Sequence, residues 1–328
     1  MDMPTVFMGL MGLSVLAYVV LDGYDLGVGM LMPAATGQEQ SVMVASIGPF
    51  WDANETWLVL GIGILLAAFP VAHGVVLGAL YLPVVAMLVG LMLRGVAFEL
   101  RVKALGWHRD LWNGLFWAGS FAASFFQGVM LGRYVTGFEP GFGYWLFALV
   151  VGASLCGGYV LLGATWLILK TEGALQAKAV AWARWGLLWV GLGVALVSIG
   201  TPLVSATVRD KWFDFPRTLW VMLLPLATLA AAGWLWRATG RVKSSGGRRD
   251  AAPFAAAATI FALAFAGLAY SLFPYVVIDR LTIWDAAAHP SALQVLLAGA
   301  AVVLPFIVLY TLLSYRIFRG KARAGLYD

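Results

Sequence analysis

The sequence predicts an all-α integral membrane protein, and its composition and its long apolar stretches lead to that class. The chain has 328 residues, of which 62% are hydrophobic and 11% charged, and its mean hydropathy is +0.88. A soluble domain carries about 25% charged residues. The chain therefore lacks the polar surface that a soluble enzyme, a disordered chain or a nucleic-acid-binding protein requires.

The apolar stretches predict about nine membrane-spanning helices. A helix needs about 20 mostly apolar residues to cross a bilayer, and its backbone satisfies its own polar groups there. The alternating pattern of a membrane β-barrel is absent from the sequence. The predicted helices are 4–33, 47–70, 74–100, 112–133, 143–170, 180–206, 217–237, 253–273 and 291–318.

The basic residues predict the orientation of these helices. Of the 21 Lys and Arg residues, fifteen follow predicted helices 3, 5, 7 and 9, whereas five follow even-numbered helices. Cytoplasmic loops of membrane proteins carry the excess of Lys and Arg. We therefore expect a periplasmic N-terminus and a cytoplasmic C-terminus.

Ionisable residues inside the predicted helices mark a candidate site. Asp22 and Asp25 lie late in the first helix, Asp52 and Glu55 open the second, and Arg94 lies in the third. Such groups cost roughly 2.5–3.5 kcal/mol each on insertion scales and are functional candidates by default. In the predicted orientation all five lie towards the cytoplasm, where they can take up and pass protons. The alternative is that they cap helices or sit at the membrane interface.

Three glycines near the first acidic pair predict close helix packing. Gly23, Gly27 and Gly29 have the small-residue spacing that lets helix backbones approach each other. They do not form a phosphate-binding loop, because no strand precedes them and no Lys-Ser/Thr pair follows.

The histidines do not predict a haem or metal site in this chain. His73 is expected in the turn between the second and third helices, and His108 and His289 in loops. An axial haem ligand would be expected within a helix. The single cysteine, Cys156, cannot form a thiolate metal cluster.

Several long motifs resemble subunit II of the bacterial cytochrome bd quinol oxidases. The second-helix motif Asn54-Glu55-Thr56-Trp57 is similar to the cyanide-insensitive branch of that family. The resemblance spans the chain, although residues 135–250 match in hydropathy more than in motif. The motifs are LDGYDLGVGM (21–30), IGPFWDANETWLVLG (47–61), AAFP (67–70), LRGVAFELRVK (93–103), SLFPYVVIDRLTIWDAAAHPSALQVLL (271–297) and PFIVLYTLLSYRIFRG (305–320).

The resemblance implies an architecture and a set of partners. It implies two four-helix bundles, within 1–133 and 143–273, and a peripheral helix at 291–318. It also implies association with a haem-bearing subunit I that holds two haems b, one haem d and the quinol site. A small single-helix subunit and lipids can join such a complex, which lies in the bacterial inner membrane, and no nucleic acid is involved. The complex oxidises quinol, with ubiquinol and menaquinol as alternatives, and reduces oxygen to water without pumping protons.

The resemblance also implies roles for individual residues. Trp51 and Asp52 match a pair implicated in a proton route, and Asp22, Asp25 and Arg94 match the same conserved set. Trp57 matches a tryptophan near a proposed oxygen access route, with simple packing as its alternative. Glu55 joins the proton-route candidates on the charge pattern described above.

Two other functions remain open. The chain can be a structural scaffold, with proton entry wholly in the partner subunit. It can also be a proton-coupled secondary transporter, but the acidic and glycine motifs occur in the first half only, whereas such transporters repeat them in both halves. The first expectation is therefore an oxidase subunit that has no catalytic residues or redox activity of its own.

Overall fold

The computed structural model describes residues 2–242, 247 and 249–323. Almost all of them are helical. The helices are α1 (Met3–Leu31), α2 (Gly37–Ile47), α3 (Trp51–Ala68), α4 (Pro70–Ala79), α5 (Tyr81–Lys103), α6 (Trp107–Val135), α7 (Phe142–Lys170), α8 (Gly173–Val204), α9 (Ala206–Phe213), α10 (Arg217–Val221), α11 (Leu223–Arg241), α12 (Ala251–Leu272) and α13 (Pro290–Ile317). A two-stranded antiparallel hairpin, β1 (Tyr275–Val277) and β2 (Leu281–Thr282), links α12 to α13.

The all-α membrane class is confirmed. Within the described residues, eight helical segments are long and apolar enough to cross a membrane, namely α1, α5, α6, α7, α8, α10 with α11, α12 and α13. Each coincides with a predicted helix. The remaining predicted helix, 47–70, contains α3, whose 18 residues include two acidic side chains in its first five positions.

Four predicted helix starts were wrong. Helices α6 and α8 begin at Trp107 and Gly173, several residues before the predicted 112 and 180, and proline explains the other two. The second helix does not run unbroken from 47, because Pro49 lacks the N–H that would join α2 to α3. The third does not begin at 74, because Pro83 cannot bond to the residue four positions earlier, and the chain breaks at Leu80 between α4 and α5. His73 consequently lies within α4, which Pro70 begins, and not in a turn.

Helix α1 packs at the centre of the structure, against α3, α6, α7 and α12. Its glycines make the closest of these contacts. A Cβ atom placed on Gly27 would lie 1.8 Å from the backbone oxygen of Tyr159 in α7, and one on Gly163 would lie 2.4 Å from the backbone carbon of Gly27. The predicted packing role of Gly27 is therefore confirmed.

The ends of the helices form two opposite faces. On the first face, which we call the basic face, the ion pair between Glu39 and Lys178 joins α2 to α8 at 2.7 Å. Asn113 and Gln40 join α6 to α2 on the same face at 2.8 Å.

The opposite face carries the hairpin. There Trp284 donates a hydrogen bond to Asp2 at 3.1 Å, and Arg280 pairs with Glu139 at 2.9 Å. The excess of Lys and Arg predicts that the basic face is cytoplasmic. Two of the fifteen residues counted for that prediction, Lys243 and Arg248, lie outside the described residues.

Candidate functional site

Arg94 of α5 binds carboxylates from two other helices. Its Nη1 atom lies 2.8 Å from Asp22 Oδ1 of α1 and 3.3 Å from Glu55 Oε1 of α3. The side chains of Arg94 and Asp22 are buried, whereas that of Glu55 is 28% exposed. Charged residues from three separate motifs, one each in α1, α3 and α5, thus meet at one guanidinium group.

Asp25 lies beside this group and has a different partner. Its Oδ2 atom accepts a hydrogen bond of 2.7 Å from the side-chain amide of Asn54. Arg94 is within electrostatic reach of Asp25, and so are Asp22 and Glu55. We call Asp22, Asp25, Glu55 and Arg94 the buried acid cluster.

The buried acid cluster lies well inside the membrane-spanning part of the helices. Asp22 is nine residues before the end of α1, and Arg94 is nine residues before the end of α5. At a rise of about 1.5 Å per residue, each lies about 14 Å from the end of its helix. Both helices end on the basic face, so the cluster is placed between that face and the middle of a bilayer about 30 Å thick.

The charges of the buried acid cluster do not balance when every acid is ionised. Three carboxylates then surround a single guanidinium group. One oxygen of Asp22, one of Asp25, and the Nε and Nη2 atoms of Arg94 have no hydrogen-bond partner among the described residues. Because unbalanced charge is costly in a low-dielectric interior, an arrangement of this kind is suited to hold a proton and to pass it on.

One tryptophan of α3 lies against the cluster, and a second is buried two residues after Glu55 in the chain. The ring of Trp51 faces the guanidinium group of Arg94 at 5.8 Å and packs on Phe98 at 5.0 Å. Trp57 is buried, and its indole N–H has no hydrogen-bond partner among the described residues. Trp51 therefore covers the cluster, whereas the role of Trp57 in oxygen access or packing stays a prediction.

Asp52 does not join the cluster directly. Its side chain is exposed in the first turn of α3, and the described residues offer it no hydrogen bond or ion pair. It lies one turn from Glu55, close enough for the two charges to interact. The predicted proton-route set thus consists of four residues in contact or near contact and one acid at the surface.

Uncharged polar residues complete the site, and the sequence reasoning did not identify them. Asn54 donates hydrogen bonds to Asp25 and to Tyr24 Oη, the latter at 3.0 Å. Gln127 of α6 joins the hydroxyl groups of Tyr18 and Tyr159 at 2.6 and 2.7 Å on the other side of Asp22. Neither residue carries a charge, so a search for charged residues does not find them. Asn54 lies between the two acids of the second-helix motif, and Gln127 is a polar residue in a mostly apolar stretch of α6.

The histidines do not fit axial ligation of a haem. His108 lies in the first turn of α6 and not in a loop as predicted. His108 and His289 are exposed, and His289 shares a hydrogen bond of 2.8 Å with Ser291. His73 is half-buried on the short helix α4. Among the residues that the structure describes, no three His, Cys, Asp or Glu side chains are grouped so that they could hold a metal ion. The placement of the haems in a partner subunit stays a prediction.

Comparison with known proteins gives one consistent result. The family described as cytochrome bd terminal oxidase subunit II matches residues 3–318. Subunit 2 of a cytochrome bd ubiquinol oxidase from Bacillus subtilis (strain 168) is 30% identical over 93% of this chain and 92% of its own length. Subunit 2 of the cytochrome bd-I ubiquinol oxidase of Escherichia coli (strain K12) is 28% identical over 95% of this chain and 93% of its own length.

A solved structure has the same fold. A chain of the bd oxidase from Geobacillus thermodenitrificans superposes with a TM-score of 0.76, at 18% identity, over 98% of this chain and 100% of its own length. The relatives and the eight apolar helices make this chain a multi-pass protein of the bacterial inner membrane. The match over nearly the whole chain places it, as the motifs predicted, in the cytochrome bd terminal oxidase subunit II family.

Proposed function

We propose that this chain is the second subunit of a bd-type quinol oxidase, that it stabilises a haem-bearing subunit I, and that it carries protons from the cytoplasm towards the site of oxygen reduction. The family and the names of the relatives support the complex. The buried acid cluster supports the proton role.

The observation that carries the proton role is the graded exposure of the acids. Asp52 is exposed, Glu55 is partly exposed, and Asp22 is buried behind Arg94. A proton that reaches Asp52 or Glu55 from the basic face can pass to Asp22, because Glu55 and Asp22 bind the same guanidinium atom. Rearrangement of Arg94 between the two carboxylates would accompany that transfer.

The position of the cluster fits the direction of transfer. Reduction of oxygen to water consumes protons, and uptake of those protons from the cytoplasm separates charge across the membrane without a pump. The cluster lies between the middle of the bilayer and the basic face, which the excess of Lys and Arg predicts to be cytoplasmic. A scaffold without a proton role would not need three carboxylates at one arginine inside the membrane, where each is costly.

Substitution of the acids in the assembled complex tests the proton role. Asp22→Asn and Glu55→Gln keep the size of each side chain and remove its ability to ionise. We expect slower oxygen consumption with quinol in excess, with the haem content of the purified complex unchanged. Glu99→Gln is the matched control, because Glu99 is an exposed acid of α5 five residues beyond Arg94.

Two outcomes would count against the proposal. Wild-type turnover in both variants, with normal haem content, would contradict the proton role and favour a scaffold. Isolation of the chain as a colourless protein without a haem-bearing partner would contradict the assignment to a quinol oxidase and favour a transporter.

A further inference from the structure

Tyr315 of α13 contacts residues that border the buried acid cluster, although α13 contributes no residue to that cluster. Its hydroxyl group lies 2.6 Å from Tyr24 Oη and 3.3 Å from Asn54 Oδ1. Helix α13 is otherwise lightly packed, with Leu293 as its one fully buried residue. Nothing in the proposed proton route accounts for this contact.

The hydrogen bonds of Asn54, Tyr24 and Tyr315 close a ring with a defined direction. Asn54 Nδ2 donates to Tyr24 Oη at 3.0 Å, and Tyr315 donates to Asn54 Oδ1. The hydroxyl of Tyr24 is then free to donate to Tyr315. In this arrangement every donor in the ring has an acceptor, and the second amide hydrogen of Asn54 points to Asp25 at 2.7 Å.

The ring fixes which way the Asn54 amide faces, together with two acceptors on α1, because Asn54 Nδ2 lies 2.7 Å from Asp25 Oδ2 and 3.2 Å from the Leu21 carbonyl oxygen. An amide rotated by half a turn would place its oxygen against the carboxylate of Asp25, where two acceptors repel each other. The hydroxyl of Tyr315 is the only donor to Asn54 Oδ1 that the described residues provide. Without that hydroxyl the buried amide oxygen has no partner, and an unpaired buried polar group is costly.

The segment after α13 holds Tyr315 in place. Lys321 pairs with Asp250 at 2.6 Å, and the backbone N–H of Ala322 donates to the Lys170 carbonyl group at 2.7 Å. The ammonium group of Lys170 donates to the carbonyl oxygen of Gly320. The ring of Tyr315 also packs on Phe50 at 4.6 Å, in the turn that leads into α3.

We propose that Tyr315 is a positioning residue of the buried acid cluster: its hydroxyl group orients the Asn54 amide so that this amide donates to Asp25. The inference rests on the proposed proton role of the cluster. It means that α13, which contributes no acid, affects the hydrogen bonding of the cluster. Displacement of α13 is then expected to remove the hydrogen bond that orients Asn54.

Tyr315→Phe in the assembled complex tests the inference, because it removes the hydroxyl and keeps the ring. We expect the kcat of oxygen consumption to fall about three-fold to ten-fold, the range for loss of one hydrogen bond. We also expect an increased solvent isotope effect in D2O, an unchanged KM for quinol and an unchanged haem content. Tyr310→Phe is the matched control, because Tyr310 is an exposed tyrosine of the same helix.

The double variant Tyr315→Phe/Asp25→Asn distinguishes action through Asp25 from an independent effect. If Tyr315 acts through Asn54 on Asp25, the double variant is no slower than Asp25→Asn alone, since residues that act as a unit are not additive. Losses that multiply would overturn the inference. So would wild-type kcat and isotope effect in Tyr315→Phe, or loss of haem from that variant, which would show an assembly role.

Comparison of Asp25→Asn with Tyr315→Phe separates a failure of the role of Tyr315 from a failure of the proposed proton role. If Asp25→Asn leaves turnover and the isotope effect unchanged in a haem-replete complex, Asp25 has no part in proton transfer, and both fail at that residue. If Asp25→Asn is slow and Tyr315→Phe is not, only the inference fails.

Discussion

Arg94 and Asp22 form an ion pair of 2.8 Å between α5 and α1 in which both side chains are buried. The two residues are 72 positions apart in the chain, so their pairing fixes how the third membrane helix sits against the first. A buried pair of this kind adds little net stability when intact, but removal of one partner leaves the other charge uncompensated.

Arg94→Met is therefore expected to destabilise the protein strongly, by about 3–5 kcal/mol. The variant leaves three carboxylates together without a positive charge. The measurement is the amount of folded chain in the membrane and the thermal midpoint of the purified complex. Arg94→Met/Asp22→Asn should recover part of the loss, and the exposed Arg209→Met should lose nothing. A stable Arg94→Met single variant would contradict the structural role of the pair.

Gly27→Ala is expected to push α1 away from α7. An alanine normally favours a helix over glycine by about 1 kcal/mol, but here the new Cβ would meet the Tyr159 carbonyl oxygen at 1.8 Å. Overpacking of this kind costs about 1–3 kcal/mol, so the thermal midpoint should fall. Gly9→Ala in the same helix is the control, because a Cβ there has nothing within 4 Å. Equal midpoints for the two variants would show that the contact is not tight.

Hydropathy and charge predicted most of the fold because the bilayer imposes one simple rule. Helices that must satisfy their own backbone in hydrocarbon appear as long apolar stretches, and α7 at Phe142–Lys170 was expected at 143–170. The short helices α2 and α9 were not predicted, because they are too short and too polar to give this signal. The breaks at Pro49 and at Leu80 were missed because the apolar stretches continue through them.

The sequence predicted the charged residues of the candidate site but not the neutral residues that form hydrogen bonds with them. Charged residues inside a membrane helix are few, so Asp22, Asp25 and Arg94 were conspicuous. Asn54 was not, since a neutral amide gains its importance only from what it touches. Tyr315 could not be found at all from local sequence, because its contact with Asn54 joins residues 261 positions apart.

The Glu39–Lys178 pair on the basic face is expected to make stability depend on pH. The hydrogen bond from the Lys178 ammonium group, together with the backbone N–H of Thr36, lowers the pKa of Glu39 below its usual value. A lowered folded-state pKa contributes stability that is present above the unfolded pKa, about 4.3, and is lost as pH falls through the folded value.

Lys178→Met should therefore lower the thermal midpoint at neutral pH, by the equivalent of less than about 1 kcal/mol for a pair at the surface. The difference from the wild type should shrink as pH falls below about 4 and disappear once Glu39 is protonated in both. Lys103→Met, at the exposed last residue of α5, is the control. A difference that grows at acid pH would contradict the role of the pair.

Asp52→Asn tests where protons enter. Asp52 is exposed and Asp22 is buried, so loss of Asp52 can be bypassed by water or Glu55, whereas loss of Asp22 cannot. We expect Asp52→Asn to slow oxygen consumption by less than about ten-fold, which corresponds to about 1.4 kcal/mol in the barrier, and Asp22→Asn to slow it more. A small acid such as acetate in the buffer should restore part of the turnover of Asp52→Asn but none of that of Asp22→Asn, because Asp52 is exposed in this chain and Asp22 is buried. Equal rescue of both variants would contradict the difference in access between the two sites. A larger defect in Asp52→Asn than in Asp22→Asn, with normal haem content, would contradict the bypass of Asp52 by water or Glu55.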